Sequence, residues 1–310
     1  MPNIRYEIWN PRPEALRQVE IAYSICAEYA AQGFDLTLRQ LYYQFVARDL
    51  IANSQRSYKN LGSTINRARL SGLLDWDYIV DRTRNLEEMP SWAHPRSVLR
   101  SAASSFKLDH WEDQPQYVEV WIEKDALIGV IAPICERLDV PYFSCRGYTS
   151  QSKMWNAAQR LISKDRWHSE ETGYDEEREI TIIHLGDHDP SGIDMTRDIQ
   201  DRLNLFEAGA RVDRVALTMD QIDELSPPPN PTKLTDARAQ GYIREYGYQS
   251  WELDALEPSY LSNLIETEVL RHRDEDIYED TIARQNAFTE TLTGLTRVGW
   301  DALKEFIHES

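Results

Sequence analysis

Three carboxylates follow two segments that have the composition of buried strands. Asp187 and Asp189 come directly after the apolar run "ITIIHL" (180–185), and Glu123 ends the alternating run "YVEVWI" (117–122). Ligands of an open parallel sheet bind at the carboxyl ends of its strands, so these side chains would meet at one edge. Like charges gathered there repel one another unless a cation balances them. Hard oxygen ligands favour Mg²⁺, with Mn²⁺ as the alternative, and the sequence therefore predicts a divalent metal site.

Other polar residues near these segments have structural interpretations. His184 and His188 lie at the end of the same strand and are interpreted as a packed histidine and a loop histidine. Asp125 has the position of an N-cap for the following helix. Glu252 and Asp254 lie near the metal or begin a helix, and the helix start is favoured.

The elements that must position these residues fall into two groups. The first group is N-terminal and consists of three helices, at 14–32, 35–50 and 54–72, and a short strand in "DWDYIVDRTR" (75–84). This order is typical of a winged helix-turn-helix. The third helix carries a basic face whose side chains either contact DNA phosphates or face solvent: Arg56, Lys59, Arg67 and Arg69.

The second group begins after a polar break at 101–116. Strand-like and helix-like segments then alternate up to a strand "DRVALT" (213–218), which predicts a parallel sheet with right-handed crossovers. A proline-rich link at 226–234 leads into a helical, acidic tail.

Charge and cysteine content restrict the class of protein. The 310-residue chain has a net charge of -18, yet residues 37–100 contain ten Lys and Arg against six Asp and Glu. A basic N-terminal segment on an acidic body is compatible with a DNA partner, and ordinary surface scatter explains it equally well. Three cysteines without a CxxC spacing fit reduced thiols. Neither a membrane-spanning run nor a signal peptide is recognised, so we expect a cytoplasmic protein, nucleoid-associated if cellular.

Four motifs together resemble one known family. "VWIEKDAL" (120–127) and "GDHDPSG" (186–192) resemble the acidic motifs of the toprim domain, in particular those of the topoisomerase VI A subunit and the related meiotic double-strand-break transesterase. "RQLYY" (39–43) resembles the R-x-x-Y-Y motif of the winged-helix domain that precedes toprim in that family. "WELDAL" (251–256) resembles a segment near the family's C-terminus. The order of the motifs agrees, and the short stand-alone "Mini-A" forms are the most similar.

The resemblance implies an α/β protein with two domains. Residues 1–105 would form a winged-helix (CAP-like) DNA-binding domain. Residues 115–310 would form a toprim domain, a Rossmann-like parallel sheet, with a C-terminal helical extension.

The resemblance also implies roles for individual residues. Glu123, Asp187 and Asp189 would hold Mg²⁺, Tyr43 would be the nucleophile, and Arg39 would assist at the phosphate. The implied activity is DNA strand cleavage by tyrosine transesterification, with resealing through the phosphotyrosyl bond. The implied partners are double-stranded DNA, a second copy of the chain, and a separate ATPase subunit. In the implied homodimer, Tyr43 of one copy lies at the metal held by the other copy. Tyr42 would pack in the core.

Two features of the sequence depart from the family and keep alternatives open. The residues after Tyr43, "QFVARDLIANSQRSYKNL" (44–61), do not follow the family's usual continuation, and the chain has no Walker-type nucleotide loop. One alternative is a toprim nuclease that hydrolyses DNA with metal-bound water and no covalent intermediate. The other is a non-catalytic module for DNA binding and dimerisation.

Overall fold

The computed structural model describes residues 5–80, 91–145, 149–169 and 174–297. The chain forms two compact units. The first unit comprises 1–84, 118–164 and 180–271, and the second comprises 85–117, 165–179 and 272–310. The predicted boundary between 105 and 115 falls inside the second unit, so the predicted domains and the compact units divide the chain differently.

Helices and strands alternate along most of the chain. The helices are α1 (Pro13–Ala30), α2 (Leu38–Ala47), α3 (Gln55–Leu70), α4 (Pro95–Ser105), α5 (Ile128–Arg137), α6 (Gln151–Ile162), α7 (Pro190–Leu205), α8 (Met219–Leu225), α9 (Ala239–Tyr246), α10 (Pro258–Leu270) and α11 (Glu275–Arg297). The strands are β1 (Gln116–Ile122), β2 (Tyr142–Ser144), β3 (Arg166–Ser169), β4 (Tyr174–Glu177), β5 (Glu179–Leu185), β6 (Arg211–Ala216), β7 (Asn230–Pro231) and β8 (Gln249–Ser250).

Helices α1, α2 and α3 confirm the three predicted N-terminal helices. Their apolar faces share one buried core that includes Ile25, Leu41 and Leu61. Thr37 begins α2 with a capping box, in which its hydroxyl and the Gln40 side chain satisfy each other's backbone N–H groups. Ser54 caps α3 through the Ser57 amide, as its position before the helix predicted.

The strand predicted in "DWDYIVDRTR" is wrong in the part that the structure describes. Trp76–Tyr78 form a short 3-10 helix, because the Asp75 carboxylate accepts the Asp77 N–H and turns the chain. Ile79 then makes a single parallel bridge with Leu36. The rest of the predicted strand, from 81 on, lies outside the described residues.

The predicted parallel sheet is confirmed and forms the centre of the first unit. Four strands lie in the order β2-β1-β5-β6. The inner strands β1 and β5 are buried almost throughout, as is typical of parallel strands covered on both faces. The carboxyl ends of β1 and β5 are adjacent, since the Glu123 amide donates to Leu185 O at 2.9 Å.

The second unit contains α4, the hairpin β3–β4 and α11. Residues 101–105, the first five of the predicted polar break, belong to α4. Gln114 connects the segment after α4 to the start of α11, because its side chain both donates to Asp274 O and accepts from the Asp274 amide. The hairpin was not predicted from the sequence. In neither unit do the described residues include a helix with the length and apolarity needed to span a membrane.

Candidate active site

The structure brings the three predicted residues together at the edge of the sheet. Glu123 follows β1, and its Oε2 accepts the Asp187 amide at 2.8 Å. Asp189 begins α7 as the N-cap, with Oδ1 accepting the Gly192 amide at 2.7 Å. The backbone of the Asp187–Gly192 turn therefore holds both strand ends in one place.

Two glycines make this turn sterically possible. A Cβ on Gly192 would lie 2.1 Å from Asp187 O and 3.0 Å from Glu123 Oε2. A Cβ on Gly186 would lie 3.0 Å from the same Glu123 oxygen and 3.2 Å from Arg214 Nη1. The "G-D-H-D-P-S-G" spacing is thus required by close packing of backbone against carboxylate.

Arg214 of β6 supports the turn from within the protein. Its guanidinium donates to Asp187 O at 2.6 Å, Gly186 O at 2.9 Å and Gly192 O at 3.0 Å. Burial lowers the pKa of Arg214, and Glu123 is the first of the carboxylates that oppose this. Sequence reasoning missed Arg214, although an arginine inside the short predicted strand "DRVALT" was a signal for a buried partner.

The Asp187 carboxylate belongs to a second cluster, around Lys124. Its Oδ1 accepts the Leu253 amide at 2.7 Å and pairs with Lys124 Nζ at 3.0 Å. Lys124 also pairs with Asp254 at 2.7 Å and Glu252 at 2.8 Å. The lysine that follows Glu123 in sequence therefore joins the edge of the sheet to the segment around 252–254.

Arg39 of α2 completes this second cluster. Its guanidinium pairs with Glu252 and, through Nε at 2.8 Å, with Asp254. Glu252 is the N-cap of the short 3-10 helix Leu253–Ala255 and Asp254 lies in its first turn, so the two residues begin a helix as interpreted. They also bind cations from two distant elements. Asp254 has a fully buried side chain, so its pairing with Arg39 and Lys124 is needed to offset desolvation.

Two carboxyl groups at the edge of the sheet have raised pKa values. Burial raises the pKa of Asp187 to about 7 and also raises the pKa of Glu123, and neighbouring carboxylates add to both shifts. In contrast, Lys124 and Arg39 lower the pKa of Glu252 to about 2 against the opposing effect of burial. With every group ionised, five carboxylates of the described residues lie among three cations in the two clusters, an excess of two negative charges that partial protonation of Asp187 near its pKa of about 7 reduces. The carboxylates are Glu123, Asp187, Asp189, Glu252 and Asp254, and the cations are Arg39, Lys124 and Arg214.

The excess negative charge and the oxygen donors fit one divalent cation. The arrangement of the side chains does not. No group of three acidic, histidine or cysteine side chains within the described residues has the arrangement of a metal site. The Asp187 carboxylate binds Lys124. Glu123 and Asp189 accept backbone amides and keep carboxylate oxygen capacity for a cation.

Tyr43 lies one helical turn after Arg39 on α2. Its side chain is 4% exposed, and its ring lies 5.8 Å from the Arg39 guanidinium carbon. Burial raises the pKa of Tyr43 far above its ordinary value, and Asp254 and Glu252 raise it further. A hydrogen bond with the Asn230 side chain and the charge of Arg39 act in the opposite direction. Tyr43 is therefore a neutral phenol at neutral pH.

Tyr42 is buried, as predicted, and its hydroxyl is fully engaged. It donates to Asn53 Oδ1 at 2.8 Å and accepts the Ser54 amide at 2.8 Å. These bonds connect α2 to the N-cap of α3. Tyr42 thus stabilises the junction of the two helices.

The nearby histidines are neutral packing residues. His184 is buried, donates or accepts through Nδ1 with Thr196 at 2.9 Å, and has its pKa lowered to about 3 by burial. His188 lies in the loop between β5 and α7, as predicted, but it is buried. It pairs through Nδ1 with the Tyr242 hydroxyl at 2.7 Å, and burial lowers its pKa to about 4. The backbone bridge between His188 and Trp251 explains this burial, because it draws the loop under the later segment.

Asp125 is not the N-cap predicted from its position. It lies within the 3-10 helix Asp125–Leu127, and Lys124 has the capping position. The Asp125 carboxylate instead accepts the Ser144 hydroxyl. This bond connects the ends of β1 and β2.

The predicted DNA-contacting residues of α3 differ in exposure. Arg56, Lys59 and Arg67 are exposed, and the Arg67 guanidinium lies 4.9 Å from the Trp9 ring centre. Arg69 instead turns towards the protein, where it donates to Trp76 O at 2.9 Å and stacks on the Trp76 ring at 4.4 Å. Gly147, which is predicted to permit a tight turn near this edge, lies outside the described residues.

Comparison with known proteins adds no relative to these observations. No protein-family model matches the chain, and no curated protein matches it.

Proposed function

We propose that the protein cleaves DNA strands by Mg²⁺-dependent tyrosine transesterification, in the manner of the topoisomerase VI A subunit that its motifs resemble. The observation that carries the proposal is the ionic connection between α2 and the edge of the sheet. Arg39, one turn from Tyr43, shares Glu252 and Asp254 with Lys124, and Lys124 binds Asp187. The proposed nucleophile and the proposed metal carboxylates thus belong to one continuous set of contacts within a single chain, whereas the resemblance pairs Tyr43 with the metal of a second copy.

The proposed reaction places defined demands on this set. The Tyr43 oxygen forms a bond to phosphorus, the bond to one sugar oxygen breaks, and that oxygen takes up a proton. Arg39 would bind the phosphate oxygens on which negative charge develops. Bound between Glu123, Asp187 and Asp189, Mg²⁺ would supply Lewis acidity at the phosphate. Because the Tyr43 phenol is neutral, it must lose its proton as the phosphate arrives.

The remaining features of the proposal follow from the motif resemblance. The N-terminal helices would form a winged-helix domain and the parallel sheet a toprim domain. The protein would act in the cytoplasm on double-stranded DNA as a homodimer, with a separate ATPase subunit as an additional partner. The charge of Arg56, Lys59 and Arg67 on the exposed face of α3 supports a role for this helix in phosphate contact.

A specific observation favours a second candidate, a metal-dependent nuclease without a covalent intermediate. Tyr43 is 4% exposed and its pKa is strongly raised, both of which oppose attack by its oxygen. In the nuclease, a metal-bound water would attack the phosphate. Tyr43 would then serve only to pack α2.

Denaturant trapping of DNA with the protein in Mg²⁺ distinguishes the candidates. Transesterification predicts a covalent protein–DNA adduct that Tyr43→Phe abolishes and that Tyr248→Phe, at a 72% exposed tyrosine, leaves intact. Mg²⁺-dependent nicks with free ends that survive Tyr43→Phe would establish the nuclease. DNA binding without any cleavage would overturn both and leave the non-catalytic module.

Metal binding can be measured independently of DNA cleavage, through the melting temperature. We expect Mg²⁺ to raise the melting temperature of the DNA-free protein, since a ligand that binds only the native state stabilises it. Asp189→Asn should remove most of this increase because it deletes one of the oxygen donors. Asp213→Asn, at an exposed carboxylate on β6, is the control. Equal Mg²⁺ effects in all three proteins would refute the site.

A further inference from the structure

A cavity beside Tyr43 has no role in the reaction described so far. Its volume is about 280 Å³, and its lining includes Arg39, Tyr43, Gln55, Tyr58, Asn230 and Glu252. Sites for drug-sized ligands start at about 300 Å³. The cavity therefore has room for one small planar group and its immediate attachment.

The wall of the cavity is held in place before any ligand arrives. Asn53 accepts from the Tyr42 hydroxyl and donates to Asn230 Oδ1 at 2.8 Å and to Pro229 O at 3.0 Å. Asn230 in turn contacts Tyr43 through its side chain. The rings of Tyr42 and Tyr58 meet edge to face at 5.3 Å. A preformed aromatic and amide wall lowers the entropy cost of binding a flat ligand.

The charged side of the cavity is equally ordered. Arg39 has 45% of its side chain exposed while Glu252 and Asp254 hold its guanidinium. An arginine fixed in this way presents its remaining N–H groups as a phosphate-binding fork. The cavity thus combines a cation at one side with phenol rings and the Gln55 amide at the other.

We propose that this cavity binds one unstacked nucleotide of the DNA strand, the nucleotide attached to the phosphate that Tyr43 attacks. This inference rests on the proposed function. Its phosphate would bind Arg39, and its base would enter the cavity against Tyr58 and Gln55. Aromatic side chains and amide groups are the usual means by which proteins hold a base that has left the stack.

The test uses deoxynucleoside 5′-monophosphates and saturation-transfer NMR, which detects weak binding. We expect transfer from the protein to the base protons of the nucleotide, and a loss of at least half of that transfer in Tyr58→Leu and in Gln55→Ala. Gln55 is exposed at the start of α3, so Gln55→Ala keeps the test valid if Tyr58→Leu fails to fold. Tyr248→Leu, at an exposed tyrosine outside the cavity, should match the wild type.

A second measurement tests whether a base of duplex DNA leaves the stack when the protein binds. An oligonucleotide duplex with 2-aminopurine next to the cleavage position should increase its fluorescence several-fold on binding, because the base leaves the stack, and Gln55→Ala should reduce the increase. Equal binding of 2-deoxyribose 5-phosphate and the nucleotides, or an unchanged signal in both cavity variants, would overturn the inference.

The outcomes separate this inference from the proposed function. A covalent adduct without transfer to base protons and without a 2-aminopurine signal removes the nucleotide site and leaves the function standing. Transfer to base protons that depends on Tyr58 and Gln55, without any DNA cleavage, establishes the site and removes the function.

Discussion

At the scale of single residues, backbone geometry and charge dominate the candidate site. Gly192 permits Asp187 O to approach where any side chain would collide. Asp187 keeps a raised pKa because it is buried among other carboxylates. Both effects are local enough to test by single substitutions.

Replacing Gly192 with Ala should destabilise the protein by several kcal/mol, because a Cβ 2.1 Å from a backbone oxygen forces the turn to move. Chemical denaturation measures the change. Gly241→Ala is the matched control, since a Cβ there meets nothing within 4 Å and α9 gains helix propensity. If the two variants were equally stable, the close packing described for the turn would be wrong.

The pH dependence of stability in the absence of divalent cations should report Asp187. Its pKa of about 7 in the folded protein lies above the ordinary value of 3.8, so the folded state binds more protons between these values. Its contribution to stability is therefore present below pH 4 and is lost as the pH rises towards 7.

Asp187→Asn should flatten the fall in melting temperature between pH 5 and pH 7.5, measured in EDTA. Asp213→Asn, at an exposed carboxylate, should keep the wild-type profile. An unchanged slope in Asp187→Asn would show that another group titrates in this range.

At the scale of elements, ion pairs attach α2 and the 3-10 helix Leu253–Ala255 to the edge of the sheet. The decisive residue is Lys124, with 18% of its side chain exposed and three carboxylate partners. Removing one member of a buried ionic cluster is costly, because the remaining charges stay desolvated.

Lys124→Met should lower the free energy of unfolding by about 3–5 kcal/mol at neutral pH. Arg137→Met is the control: its pair with Glu266 is mostly exposed, and its loss should cost less than about 1 kcal/mol. Urea titrations of both variants measure the difference. Similar losses would mean that the Lys124 cluster is as weak as a surface pair.

At the scale of the whole molecule, a net charge of -18 means that the proposed DNA binding would depend on a small basic surface. Helix α3 supplies exposed Arg56, Lys59 and Arg67. If these side chains contact phosphates, the slope of log K for DNA binding against log salt concentration becomes shallower by about 0.9 for each contact that is lost.

Lys59→Gln should therefore show a shallower salt slope than the wild type, measured by fluorescence anisotropy with a duplex oligonucleotide. Lys233→Gln removes the same charge from an exposed position within the proline-rich link and should leave the slope unchanged. Parallel slopes for the wild type and Lys59→Gln would exclude this lysine from the DNA contact.

The sequence by itself determined the elements whose signals are local. Capping residues and apolar periodicity predicted α1, α2, α3 and the strands β1 and β5, and the strand ends placed Glu123 near Asp187 and Asp189. These features depend on residues close in sequence and on the general rule that parallel strands share one carboxyl edge.

Only the tertiary structure decided which charges meet. Glu252 and Asp254 lie more than 200 residues after Arg39, and nothing local shows that they bind it. The same holds for Arg214 beneath the turn and for the Asp187 carboxylate turning to Lys124. Ion pairs between distant segments depend on how the elements pack, and burial decides their strength, so a sequence pattern indicates the participants but not the partners.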